Sequence, residues 1–175
     1  NDPFVLAVGS GHRDFRTLFD ALEPLKYRTI VISSPRALAG LTLPSFVENR
    51  EGVPREEIRR LTRRARINAI PMNTDGVVGG TVTIVDTIRN GRGPIITRRS
   101  GVEDYITHDT SGLLVEPGDV EGWRDALELA WNDRSVRDRI DRGATAFADA
   151  NCTDEAAGRA LGRILDELAA QYEAN

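Results

Sequence analysis

DGVVGGTVTIVDTIRNGRGPIITRRSGVEDYI, from Asp75 to Ile106, decides how the rest of the sequence is read. A small-residue loop, Gly76 to Gly80, leads into a segment whose first turn offers Thr81 and Thr83. Asp86 sits one turn further in, and Gly91 closes the segment. Pro94-Ile95-Ile96-Thr97 then reads as a short apolar strand, followed by a loop and a short helix ending near Ile106. A glycine loop that opens a helix leaves backbone N–H groups without intrahelical partners, and those groups with the helix dipole attract phosphate. A carboxylate one turn in can accept hydrogen bonds from sugar hydroxyls. The spacing thus puts a phosphate site and a ribose site into one loop–helix unit.

Working outward, Phe4 to Val8 is a buried-strand candidate, followed by Gly9-Ser10-Gly11 and a helix from about Arg13 to Leu25. Its apolar residues Phe15, Leu18, Phe19, Leu22 and Leu25 fall at helical spacing. Thr29 to Ile32 is a second strand, broken by Ser33-Ser34-Pro35. The span from Arg36 to Gly52 is ambiguous apart from a short strand at Phe46–Val47. Pro54 opens a helix to about Arg66, since proline suits the first helical position, and Ile67 to Ile70 is a strand stopped by Pro71. Downstream, Ser111 to Val115 reads as a last strand. Helices follow from Val120 to about Trp131, capped by Asp119, from about Ser135 to Ala148, and from Asp154 to Tyr172, capped by Thr153. The last carries Ala157, Leu161, Ile164, Leu165 and Leu168 on one face, to pack on this domain or on a neighbour.

Strand and helix segments alternate, and the strands are apolar runs without polar alternation. That predicts an α/β fold with a parallel sheet covered on both faces. Open sheets of this kind bind ligands outside the carboxyl ends of their strands. Those ends carry Gly9 to Arg13, Ser33 to Arg36, Pro71 to Gly80 and Thr97 to Gly101, loops rich in glycine, serine and arginine, which points to a phosphate-bearing ligand.

The chain has 175 residues and a net charge of −4, which bounds it to one domain with a real core and argues against nucleic acid as a partner. Cys152 is the only cysteine, and His12 and His108 stand apart, so no cysteine zinc site or histidine cluster is expected. No apolar run approaches the ~20 residues of a membrane span, and no basic-then-apolar leader is present, so the expected location is cytoplasmic. The first residue is Asn1 rather than Met, which suggests a piece of something longer.

With these residues in hand, the chain resembles the C-terminal, donor-binding domain of retaining GT-B glycosyltransferases of group 1 (family 4-like). The resemblance covers about Phe4 to Leu168. It is most specific in GVEDYITHDTSGLLVEPGDVEGWRDALELAWND, and extends to GVPREEIRRLTRRARINAIP and the opening VGSGHRDFRTLFDAL. It implies a Rossmann-like sheet forming the C-terminal half of a GT-B architecture. The whole of residues 1–175 then forms a single nucleotide-sugar-binding domain. The reaction implied is glycosyl transfer from a nucleoside-diphosphate sugar, without metal or cofactor beyond that donor. The acceptor-binding N-terminal domain or subunit lies outside the chain, and any peripheral membrane contact would run through it.

Residue by residue, Arg13 matches the family's basic residue that contacts the donor diphosphate, where lysine is usual. Ser10, between Gly9 and Gly11, stands where the family often has arginine. Thr81 and Val82, after Gly80, match the positions whose amides face the phosphates, and Gly52 and Val53 match the loop beside the base. Counting back from Gly91 puts Asp86 at the glutamate that binds the ribose, one methylene shorter. The glutamate expected eight residues earlier, toward the transferred sugar, is Val78; Asp75 followed by Gly76 resembles a shifted version of it, and on its own residues reads as a turn aspartate. The family's G-K-P turn appears as Gly91-Arg92-Gly93-Pro94, one residue longer. Arg13 and the amides at the start of the 81–90 segment would stabilise the charge on the leaving diphosphate.

Other readings compete. Gly9-Ser10-Gly11 is a near match to a dinucleotide fingerprint, but Asp14 replaces the third glycine, and Ser33 to Arg36 could greet a 2′-phosphate, which keeps an NADP enzyme open. A sugar-nucleotide epimerase would want acids and histidines at the cleft, and few are present. A noncatalytic or split nucleotide-binding subunit fits the Val78 and Asp86 departures. Arg13 near a helix start is electrostatically poorly placed for a mere surface charge. Ile84, Val85 and Ile88 around Asp86 predict a mostly buried segment. Glu103 and Asp104 read as flanking the short helix, Arg55, Arg59, Arg60, Arg63, Arg64 and Arg66 as a solvated helix face, and Trp123 and Trp131 as packing residues.

Overall fold

The computed structural model describes residues 2–73 and 80–173. Six strands are all parallel: β1 (Val5–Val8), β2 (Thr29–Ile32), β3 (Val47–Arg50), β4 (Ile67–Ile70), β5 (Ile95–Thr97) and β6 (Leu113–Val115). Their order in the sheet is β3-β2-β1-β4-β5-β6. Among the described residues six α-helices accompany them, α1 (Phe15–Leu22), α2 (Arg55–Arg64), α3 (Thr81–Arg89), α4 (Val120–Asn132), α5 (Arg134–Asn151) and α6 (Asp154–Glu173), with a 3-10 turn at Pro35–Leu38.

The sheet is buried on both faces because successive strand residues serve opposite layers. Val5 and Ala7 of β1 pack with α1 and α4, through Phe15, Leu18, Leu22, Trp123 and Leu127. Leu6 points the other way, with Ile30, toward Leu61 and Ala65 on and after α2. Ile70 and Ile96 pack under Ile84 and Ile88 of α3 and Ala144 of α5. Each large apolar side chain removed from water this way contributes about 1.5–3 kcal/mol, which explains why strands without polar alternation are stable here.

Departures from the sequence expectations have local causes. The first helix ends at Leu22 rather than Leu25, because Pro24 has no N–H to donate and Lys26 turns into the left-handed region at φ 53°. It also begins two residues later than expected. Asp14 is its N-cap and accepts from Thr17 N at 3.1 Å, so Arg13 stands outside the helix. The short strand near Phe46–Val47 is really Val47–Arg50, an edge strand with polar Glu48 and Arg50 that an apolar-run criterion passes over. The helix expected before Ile106 is a series of turns. Val102 N donates to Arg99 O and Ile106 N to Val102 O, with Gly101 at φ 82°. Glu103 there pairs with Arg98. The caps at Asp119 and Thr153 form as predicted, accepting from Gly122 N at 2.9 Å and Ala156 N at 3.1 Å.

Trp123 is buried in the core, and Trp131 stacks on Tyr27 with ring centroids 3.9 Å apart. Arg59 and Arg60 of α2 pair with Glu56 and Glu57, so this face is a solvated, ion-paired helix surface. On α6 the expected apolar face does not find cover among the described residues. Leu161, Ile164 and Leu165 are each more than half exposed, while Ala156 is the residue that is buried. Leu168 lies outside the described side chains.

Candidate functional site

In this order successive strands are added outward on one side up to β3 and on the other from β4, so β1 and β4 form the switch point where doubly wound sheets open a crevice at their carboxyl ends. The crevice is stitched shut from beneath. Asp14 N donates to Pro71 O at 3.2 Å, Asn73 N donates to His12 O at 3.2 Å, and Arg13 pairs with Met72 as an isolated antiparallel bridge. Met72 N in turn donates to Thr97 Oγ1 at 2.8 Å, tying the end of β4 to the end of β5.

Arg13 occupies the centre of this arrangement. Its Nε donates to Val8 O at 3.1 Å, one terminal nitrogen to Gly11 O at 2.9 Å, and the other to Thr83 Oγ1 at 2.9 Å. All three acceptors are neutral. Burial, followed by the neighbouring charge of Arg99, pushes the guanidinium pKa down to about 10, still cationic at neutral pH. Gly9 makes room for it: at φ 120°, a Cβ there would lie 2.3 Å from the guanidinium. Gly80, the N-cap of α3 at φ 87°, likewise needs to be glycine, since a Cβ would meet Met72 Cε at 2.7 Å. Thr81 is the first residue of α3 and Val82 follows it, largely exposed, so the start of this helix lies next to the threonine that Arg13 holds.

Two clefts flank the arginine. One, of about 310 Å³, is lined by Ser10, Ser34, Arg50, Gly52 and Val53. Ser10 Oγ accepts from Ser34 N at 2.9 Å, joining the loops after β1 and β2, and Gly52 adopts φ 60°. The other, of about 160 Å³, runs between α2 and α3 and is lined by Val8, Arg55, Val82, Thr83 and Asp86. The residues singled out in the sequence therefore fall on one crevice: Gly52, Val53 and Ser10 to one side, Thr81, Val82 and Asp86 to the other, Arg13 between.

Asp86 differs from expectation. It is not buried and unpaired; its side chain is 39% exposed, and Arg55 approaches its two carboxylate oxygens at 3.2 and 3.4 Å. In the sequence Arg55 reads as part of a solvated basic run; in the structure the first turn of α2 faces α3. Arg99, in the loop after β5 whose arginine points to a phosphate-bearing ligand, donates to Asn73 O at 3.1 Å, and its charge acts on Arg13. Asp75, Gly76 and Val78 lie outside the described residues. The extra residue of the Gly91-Arg92-Gly93-Pro94 turn is accommodated by Asp141 of α5, which accepts from Gly93 N at 2.7 Å and pairs with Arg92 at 2.9 Å. Among the described residues no group of His, Cys, Asp or Glu is arranged to hold a metal ion, and no helix is long and apolar enough to cross a membrane.

A doubly wound parallel sheet with a cationic crevice at its switch point defines a Rossmann-like α/β domain. Its family follows from sequence: glycosyl transferases group 1 match residues 47–147, and the chain belongs to that family. No curated protein sequence matches it. The fold is similar to that of Anabaena HepE, solved in complex with UDP-glucose, at TM-score 0.78 and 17% identity over 95% of this chain and 49% of that one. Sucrose-phosphate synthase from Thermosynechococcus elongatus is similar at TM-score 0.80 and 18% identity, over 98% of this chain and 46% of that one. The C-terminal domain of the group 1 glycosyl transferase LpcC from Francisella tularensis matches at TM-score 0.69 and 15% identity, over 87% of each chain. The chain thus spans about half the length of the first two and has the fold of a C-terminal domain of GT-B glycosyltransferases.

Proposed function

We infer that the chain is the donor-binding part of an enzyme that transfers a glycosyl group from a nucleoside-diphosphate sugar to an acceptor held by another domain or subunit. The observation that carries this is Arg13, a half-buried cation at the switch point whose acceptors among the described residues are neutral oxygens, one of them in the first turn of α3. A charge in such a place is stabilised when an anion arrives, and the helix start beside it favours the same anion. In this reading the diphosphate lies across Arg13 and the amides of Thr81 and Val82, the base lies against Gly52 and Val53, and Asp86 meets the ribose. The charge that builds on the leaving diphosphate is stabilised by groups already in place, with no metal or cofactor called upon. In the same reading Asp75 is the residue that serves the transferred sugar. A partner half agrees with the exposed Leu161, Ile164 and Leu165 on α6. A cytoplasmic location belongs to the same reading.

A second reading, a nucleotide-binding module without turnover, is favoured by one observation: Asp86 is already engaged by Arg55. Calorimetric titration of the chain with UDP, GDP, ADP and NADP tests the donor site. Saturable binding of one nucleoside diphosphate is expected; binding of NADP alone would contradict the proposal. Turnover of the matching nucleotide sugar by the protein joined to its acceptor half would separate the enzyme from the module.

A further inference from the structure

We propose that Arg99 is a second guanidinium of the diphosphate site, closing on the anion from the β5 side while Arg13 holds it from the β1 side. This rests on the donor-binding reading above. β1 and β5 flank β4 in the sheet, so their carboxyl ends stand roughly 10 Å apart across it. Arginine side chains from both ends can therefore reach one ligand seated over the end of β4.

The segment after β4 fixes both of them. Met72 bridges Arg13, and the carbonyl of Asn73 accepts from Arg99 at 3.1 Å. Asn73 N is anchored to His12 O, and Met72 N to Thr97 Oγ1 two residues before Arg99. Both arginines are thus tied to the same short segment, Arg13 through its backbone and Arg99 through its side chain, and their charges act on each other. Among the described residues Arg13 donates to no carboxylate, and the charge of Arg99 works against its own. An anion between them turns that repulsion into two attractions, and the forked guanidinium suits phosphate oxygens.

The test is the ratio of UDP to UMP affinity, measured calorimetrically on the chain and its Arg99→Gln and Arg99→Lys variants. The GDP/GMP and ADP/AMP pairs are run beside them, so that base preference is not confused with phosphate preference. The expected result is a wild-type preference for the diphosphate that falls roughly tenfold or more in Arg99→Gln, with monophosphate affinity changed less. Arg99→Lys, which keeps the charge but not the fork, is expected to retain part of it. A purely structural Arg99 would lower both affinities together or neither, and an unchanged ratio in both variants overturns the proposal. Failure of the wild-type chain to bind any of these nucleotides overturns instead the donor-binding reading beneath it.

Discussion

Arg13 and Thr83, distant in sequence, meet at 2.9 Å: the guanidinium that leaves the end of β1 donates to a hydroxyl in the first turn of α3. This contact joins the two halves of the crevice, and it exists because Gly9 has no side chain. Gly9→Ala would put a methyl group 2.3 Å from the guanidinium at a φ of 120°. Arg13 then has to move. The expected outcome is a stability loss of about 1–3 kcal/mol by urea unfolding and a nucleoside-diphosphate affinity reduced by roughly tenfold in calorimetry.

Asp86 and Arg55 give a prediction with opposite signs for two partners. The pair is largely exposed, so breaking it is expected to change stability by less than about 1 kcal/mol. If the carboxylate serves the ribose, Asp86→Ala weakens nucleotide binding by roughly tenfold. Arg55→Ala frees the carboxylate and leaves affinity equal or improved. Side-by-side titration of UDP into the two variants checks this; parallel losses would mean that the ion pair, rather than the carboxylate, recognises the ligand.

Asp141 makes stability depend on pH in an unusual direction. Burial pushes its carboxyl pKa above the ordinary range, more than Gly93 N–H and Arg92 pull it down. The folded state therefore holds the proton more tightly than the unfolded chain does. Its contribution is fully present below the ordinary carboxylate pKa and is lost as pH rises through the elevated folded value. Asp141→Asn is expected to flatten the part of the stability–pH curve that falls from about pH 4 upward, as read by urea midpoints. Asp141→Ala, which removes the acceptor of Gly93 N–H and the carboxylate beside Arg92 while Arg92 keeps its bond to Ala65 O, is expected to cost about 1–3 kcal/mol.

Trp123 tests the core without touching the crevice. It is 1% exposed and packs with α1 residues under the sheet. Trp123→Ala is expected to cost about 3–5 kcal/mol in chemical unfolding, while any folded fraction keeps its nucleotide affinity. A selective loss of ligand binding at unchanged stability would instead give this ring a direct role.

Much of the fold was legible because the chain obeys simple local rules. TIVI and INAI are short apolar strands bounded by breakers, and both appear with the expected ends. Asp119 and Thr153 cap where their side chains predict. What was not legible was set by tertiary packing. The polar edge strand Val47–Arg50 forms because it pairs with β2, not because its residues demand it. The reach of Arg55 to Asp86 depends on how α2 lies against α3, and no periodicity encodes that. The candidate site was legible as a set of loops at strand ends, since a parallel sheet delivers them together. The opposition of Arg13 and Arg99 was not, because it depends on the backbone of residues 71–73.

The most direct measurement is the dissociation constant of UDP, GDP and ADP for the chain and for Arg13→Gln, by calorimetry, with thermal unfolding recorded for both. The account predicts that one nucleoside diphosphate binds the wild-type chain and stabilises it. Arg13→Gln should stay folded and bind that ligand roughly tenfold to a hundredfold more weakly. Equal affinity in a folded Arg13→Gln variant would contradict it, since the half-buried cation at the switch point would then have no part in holding the ligand.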